Sequence, residues 1–156
     1  GTAYALNKLL DEPINEEELH KFCARFGSDL NVFLKGGCVL AEGRGEKVSP
    51  RLYNQLYISL IKPLNLGVSS KYAYEKFDEK FNAGIDLFSK RDYENDLEWA
   101  IGQDFEEFKH IKEKYPTAIM TGSGSTFYSL EEDFVEEEGY WVQNGLLSIT
   151  NGIKFM

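Results

Sequence analysis

The chain has 156 residues, 42% of them hydrophobic and 14% aromatic, which is enough for one ordinary core and excludes a disordered tail. Its net charge of -9 and pI near 4.8 argue against nucleic acid or an anionic membrane as partner, since both recruit a basic face. Cys23 and Cys38 have no CxxC or framework spacing, and His20 and His110 have no metal-ligand spacing, so reduced thiols and no protein-held metal are expected.

From the first residues, apolar side chains at Ala3, Leu6, Leu9 and Leu10 follow helical steps. No initiator methionine and no cap beyond Thr2 precede them, which marks the chain as a candidate fragment. Asn15 with Glu18 predicts a capped second helix carrying Leu19, Phe22, Cys23 and Phe26, with Gly27 as its stop. "CVLAEG" and "LYISLI" have strand character, with the glycine-rich "GRGEKVSPR" as a connection between them.

Ser69 or Ser70 caps a helix predicted to run through Phe77, whereas residues 78–93 show no clean period and read as a loop. "ENDLEWAI" and "DFEEFKHIKEKY" are helical, and Pro116 ends the second. "TAIM", "TFYSL", "GYWVQNGLLSIT" and "GIKFM" return to strands, with Asn144-Gly145 and Asn151-Gly152 as hairpin signals. No apolar run is long enough to cross a membrane and no signal peptide pattern appears, so a cytoplasmic protein is expected. These elements predict an α+β fold in which helices back one face of an antiparallel sheet.

Several short motifs carry candidate chemistry, and each has an ordinary alternative. "TGSGST" at residues 121–126 offers glycines that let backbone N–H groups approach an anion, but it lacks the lysine of a phosphate-binding P-loop and also suits a tight turn. Asp29, just before "LNVF", is either a helix cap or a carboxylate base. Asn95 in "ENDLE" reads as a cap, and "EGRGE" around Arg44 as a β-turn.

Taken in order, "FGSDLNVFLKGG", "AEGRGEKVSP", "GVSSKYAY", "NDLE" and "YPTAIMTGSGSTFYSL" resemble blocks of the 4-diphosphocytidyl-2-C-methyl-D-erythritol kinase family, within the GHMP kinase superfamily. The resemblance covers most of residues 3–130 and corresponds to the C-terminal part of such a kinase. It implies a C-terminal lobe built as a ferredoxin-like α/β plait over residues 51–156, preceded over residues 1–50 by helices from the end of the N-terminal lobe. The glycine-rich ATP loop would then lie upstream of Gly1, and the fragment alone is expected to be inactive.

The same resemblance assigns roles by residue. Asp29 matches the catalytic carboxylate that accepts the proton of the attacking alcohol, although Ser28 and Asn31 stand where the family usually has Ala and Pro. Gly122, Ser123, Gly124 and Ser125 match the loop that closes over substrate and transferring phosphate. Tyr74 matches an aromatic position that stacks on the cytosine ring, its alternative being a core residue of its own helix. Arg44 falls in the turn bordering the cytidine pocket.

ATP and Mg2+ are the implied cofactors, and a cytidine diphosphate-linked methylerythritol is the implied small-molecule substrate. Self-association through the face left by the missing lobe is also expected. Other readings are another GHMP small-molecule kinase, or a non-catalytic ligand-binding module without the ATP lobe. The tail after residue 130 departs most from the family, reading as an acidic turn and hairpins where a long helix and a strand are usual.

Overall fold

The computed structural model describes residues 1–52, 54–84 and 94–148. The chain divides into a helical unit, Gly1–Gln55 with Ser148–Met156, and a sheet unit, Leu56–Leu147. No helix among the described residues is long and apolar enough to cross a membrane.

The helical unit contains α1 (Thr2–Leu9), α2 (Glu16–Cys23), α3 (Leu30–Lys35) and the strands β1 (Val39–Glu42) and β2 (Lys47–Pro50). Asn15 and Glu18 form the expected reciprocal capping box at the head of α2. The helix stops at Cys23 with Ala24 as its cap, however, so Gly27 is not its terminator. Only Leu19 and Cys23 of the predicted stripe are buried; Phe22 and Phe26 are exposed and touch each other at 4.9 Å between ring centroids. Burial pushes the Cys23 thiol up.

The connection expected between the first two predicted strands is itself half strand. Lys47–Pro50 pairs antiparallel with β1, from Val39 opposite Pro50 to Glu42 opposite Lys47. Pairing overrides the weak local propensity of "KVSP", because one neighbouring strand supplies the ladder that the sequence alone does not announce.

The sheet unit contains β3 (Tyr57–Pro63), α4 (Ser70–Asn82), α5 (Asp96–Ile101), α6 (Glu106–Lys114), β4 (Ile119–Met120), β5 (Phe127–Ser129) and β6 (Tyr140–Leu147). Four strands join in the order β4-β5-β3-β6, and every neighbouring pair is antiparallel. One cross-strand row, Met120, Phe127, Ile61 and Val142, runs across all four strands. Against it pack Phe108 of α6, whose ring lies 5.1 Å from that of Phe127, and Trp99 and Ile101 of α5. Phe77 of α4 meets Trp99 edge-on at 6.0 Å, which ties the helices to one another.

Two local expectations change here. Helix α4 continues past Phe77 to Asn82, because Phe81 stacks on Phe77 one turn earlier and Lys80 donates to the Trp99 carbonyl; the rest of the expected loop, residues 85–93, lies outside the described residues. Asn144-Gly145 makes no hairpin but sits inside β6, where the register against β3 slips by one residue between Ile58 and Leu60. Gly145 takes the positive φ of 68° at this bulge, and the Asn144 side chain holds both the N–H and the carbonyl of Phe134. That anchor fixes the acidic segment after β5, whose Phe134 is buried against Tyr115. Asn151-Gly152 and "GIKFM" lie outside the described residues.

Candidate functional site

In the helical unit, Asp29 occupies the N-cap position of α3, yet its side chain makes no capping hydrogen bond. The carboxylate is exposed. Arg44 stands at the tip of the β1–β2 hairpin between Gly43 and Gly45, which take positive φ values of 72° and 102°. A Cβ on Gly45 would lie 3.3 Å from the Ser28 carbonyl oxygen, so the hairpin tip rests on the residue preceding Asp29. Asn31, only 2% exposed, completes the junction by donating from Nδ2 to the Glu46 carbonyl at 2.7 Å. The structure thus brings Asp29 and the Arg44 turn together.

Asn31, noted from sequence only as a departure, has a clear task. A proline there would have no side-chain donor for the Glu46 carbonyl, and the asparagine supplies it. Glu46 also accepts from the Arg44 N–H at 2.7 Å. Its own backbone N–H and that of Arg44 hold the Glu46 carboxyl below the usual glutamate range.

In the sheet unit, the loop between β4 and β5 carries Gly122, Ser123, Gly124 and Ser125. Thr121 N–H donates to the Thr126 carbonyl and Gly124 N–H to the Thr121 carbonyl, at 2.8 and 2.9 Å. No protein acceptor among the described residues takes the backbone N–H of Gly122, Ser123 or Ser125.

The two glycines are small for different reasons. Gly124, at φ 84°, packs inward, and a Cβ there would meet Met120 Sδ at 2.9 Å and Phe108 Cζ at 3.1 Å. Gly122, at φ 52°, has nothing within 4 Å of that position and opens outward. Ser125 turns its hydroxyl inward to the Leu66 carbonyl at 2.7 Å and is buried, so only its N–H remains available on the loop.

Tyr74 is 60% exposed on α4 and outside the core, which removes the alternative of a core residue. One turn before it, Ser70 shares a hydrogen bond with Ser123 at 2.9 Å between hydroxyl oxygens. Residues four apart share a helix face, so the Tyr74 side of α4 borders the glycine loop. The N-cap Ser69 gives no side-chain bond to the first turn of α4. Free amides of the loop, the uncapped helix start and an exposed aromatic ring together form a surface suited to an anion beside a flat ring.

Sequence reasoning found Asn95 as a cap and missed its other half. Oδ1 accepts from the Leu97 and Glu98 N–H groups, as a cap should. Nδ2 donates to the Met120 and Gly122 carbonyls at 2.7 and 2.8 Å, on the two sides of Thr121. Glu98 and Lys112 also went unnoticed; the spacing of "NDLE" was the one available signal. No group of three His, Cys, Asp or Glu among the described residues could hold a metal ion.

No protein-family model matches the chain. Fold and site define a mixed α/β protein with antiparallel sheets, and a solved structure titled crystal structure of 4-(cytidine 5'-diphospho)-2C-methyl-D-erythritol kinase shares this fold. It matches with a TM-score of 0.60 at 21% identity, covering 93% of this chain and 61% of that one.

Curated relatives make the likeness particular. The chain is 33% identical to the 4-diphosphocytidyl-2-C-methyl-D-erythritol kinase of Caldanaerobacter subterraneus subsp. tengcongensis, over 85% of this chain and 53% of that protein. It is 34% identical to the kinase of the same name from Desulfitobacterium hafniense, over 81% and 50%, and 30% identical to that of Fusobacterium nucleatum, over 97% and 58%. The chain is a relative of these kinases and spans about half the length of the curated proteins it matches.

Proposed function

We propose that this chain is the C-terminal part of an ATP-dependent kinase that phosphorylates the 2-hydroxyl of 4-diphosphocytidyl-2-C-methyl-D-erythritol. The observation that carries the reading is Asp29, a carboxylate at the head of a helix that it does not cap. An alcohol has a pKa far above neutral, so a carboxylate within reach orients it and accepts its proton late in phosphoryl transfer. The free N–H groups of Gly122, Ser123 and Ser125 face the negative charge of the phosphoryl group, and Tyr74 stacks on the cytosine ring. Arg44 borders the cytidine.

In this reading residues 51–156, which include the sheet unit, form the ferredoxin-like plait of the C-terminal lobe, and residues 1–50 are the end of the N-terminal lobe. The chain alone does not turn over, because the ATP loop belongs to the rest of the kinase. Magnesium enters with the nucleotide phosphates. The exposed Leu6 and Leu9 of α1, Phe26 just after α2 and Phe33 of α3 are covered by the remaining lobe, and without it they drive self-association.

The test is phosphotransfer by the full-length protein given MgATP and the cytidine diphosphate-linked methylerythritol, followed by 31P NMR. A new phosphomonoester on the 2-hydroxyl supports the reading. Transfer to a different alcohol, or none, overturns it.

A further inference from the structure

We infer that Asn95 and Glu98 are positioning residues, a brace on the first turn of α5 that sets the shape of the glycine loop 121–125. The inference rests on the reading that this loop meets the transferring phosphate, and extends it to residues that touch no ligand. Asn95 lies 25 residues before Met120 and makes four hydrogen bonds, two accepted and two donated, which is the full capacity of an asparagine side chain. A helix cap needs only the accepted pair. The donated pair clamps the carbonyls on either side of Thr121, so the chain leaves β4 in one direction.

Glu98 fixes the same strand end from within the core. It is 2% exposed, its Oε2 accepts from the Met120 N–H at 2.7 Å, and Lys112 Nζ stands 3.1 Å from Oε1 as its counter-ion. Lys112 also donates to the Ala118 carbonyl, just before β4. Helix α5, β4 and the start of α6's final turn are therefore joined through side chains at the point where the loop begins. The loop's own bonds, Thr121 to Thr126 and Gly124 to Thr121, close the turn but fix it to nothing else. The brace and the Ser125 and Ser70 contacts supply that attachment.

Aspartate separates bracing from capping. Asn95→Asp keeps a first-rate cap but places a carboxylate against the Met120 and Gly122 carbonyl oxygens, with no donor for either. Two measurements on the full-length protein test the brace. In native-state hydrogen exchange, Asn95→Asp speeds the Thr121 and Gly124 amides at least tenfold over wild type while the β3 amides keep their rates. In steady-state kinetics, kcat falls about 10²-fold, the scale set by a misplacement near 1 Å, with KM for the cytidine substrate within about threefold. Asn95→Ala gives the same loop exchange, and Glu98→Gln loosens the Met120 amide.

If Asn95→Asp leaves the loop amides at wild-type rates, or loosens them without lowering kcat in an active enzyme, the inference is wrong and Asn95 is a cap only. A wild-type protein that fails to transfer phosphate, with loop exchange still raised in Asn95→Asp, overturns the kinase reading and leaves the brace standing.

Discussion

In the sheet unit, Met120, Phe127, Ile61 and Val142 align across four strands beneath Phe108 and Trp99, whereas in the helical unit the leucines and phenylalanines of α1, α2 and α3 stand largely in solvent. Only Leu19 and Cys23 are buried apolar residues there among those described, and Leu6, Phe22, Phe26, Leu30 and Phe33 instead line a groove of about 460 Å3. The helical unit is ordered mainly by local polar devices: the capping box at Asn15, the Asn7 side chain holding Ile14 by both N–H and carbonyl, and Asn31 holding the hairpin. The two units thus hold their candidate residues on different foundations. One rests on buried apolar area, and the other on hydrogen bonds that water can compete for.

The largest expected effect breaks the sheet unit. Phe108 is fully buried between Phe105 and Phe127, so Phe108→Ala leaves a cavity beneath the glycine loop and costs about 3–5 kcal/mol. Denaturant unfolding should show this loss. A cost below about 1 kcal/mol would mean that the core is not the foundation described.

Next come the two loop glycines. Gly124→Ala forces a side chain into Met120 and Phe108 at positive φ and costs about 1–3 kcal/mol. Gly122→Ala meets open space and costs only about 1 kcal/mol, yet it plants a methyl group beside the free N–H groups and lowers turnover more than stability. Equal profiles for the two variants, measured by thermal unfolding and by kcat/KM, would contradict the division into an inward and an outward glycine.

The smallest effect is that of acid on the helical unit. The Glu46 carboxyl is held below its usual range by the N–H groups of Glu46 and Arg44, and the Glu16 carboxyl chiefly by its hydrogen bond to Lys35, which joins α2 to α3. A lowered folded pKa contributes stability that is present above the unfolded value, about pH 4.3 for glutamate, and is lost as pH falls through the folded value. NMR at falling pH should therefore show the amides near Arg44 and Lys35 broadening or shifting before those of β3 and β5. The reverse order would place the weaker region in the sheet unit.

What the sequence showed and hid follows the same division. Elements with strong periods, such as α1, α2, α6 and β3, were legible because their signals are local. Lys47–Pro50 was hidden because its strand state depends on pairing with β1. Asn144-Gly145 misled because the dipeptide favours equally the positive φ of a two-residue turn and of a bulge, and only the continuing partner β3 decides between them. In the candidate site, Asp29 and the glycine loop were visible as motifs. The donors of Asn95 and Asn31 were not, since their acceptors lie 15 to 27 residues away.

The central claim is that Asp29 accepts the proton of the substrate alcohol, and Asp29→Asn in the full-length protein tests it most directly. Because Asp29 makes no capping bond, and asparagine caps as well as aspartate, stability and cytidine-substrate binding should stay close to wild type. Loss of a general base lowers rate by roughly 10²–10⁴-fold, so kcat should fall by that factor in a folded, substrate-binding variant. A folded Asp29→Asn protein that turns over at near the wild-type rate would contradict the account.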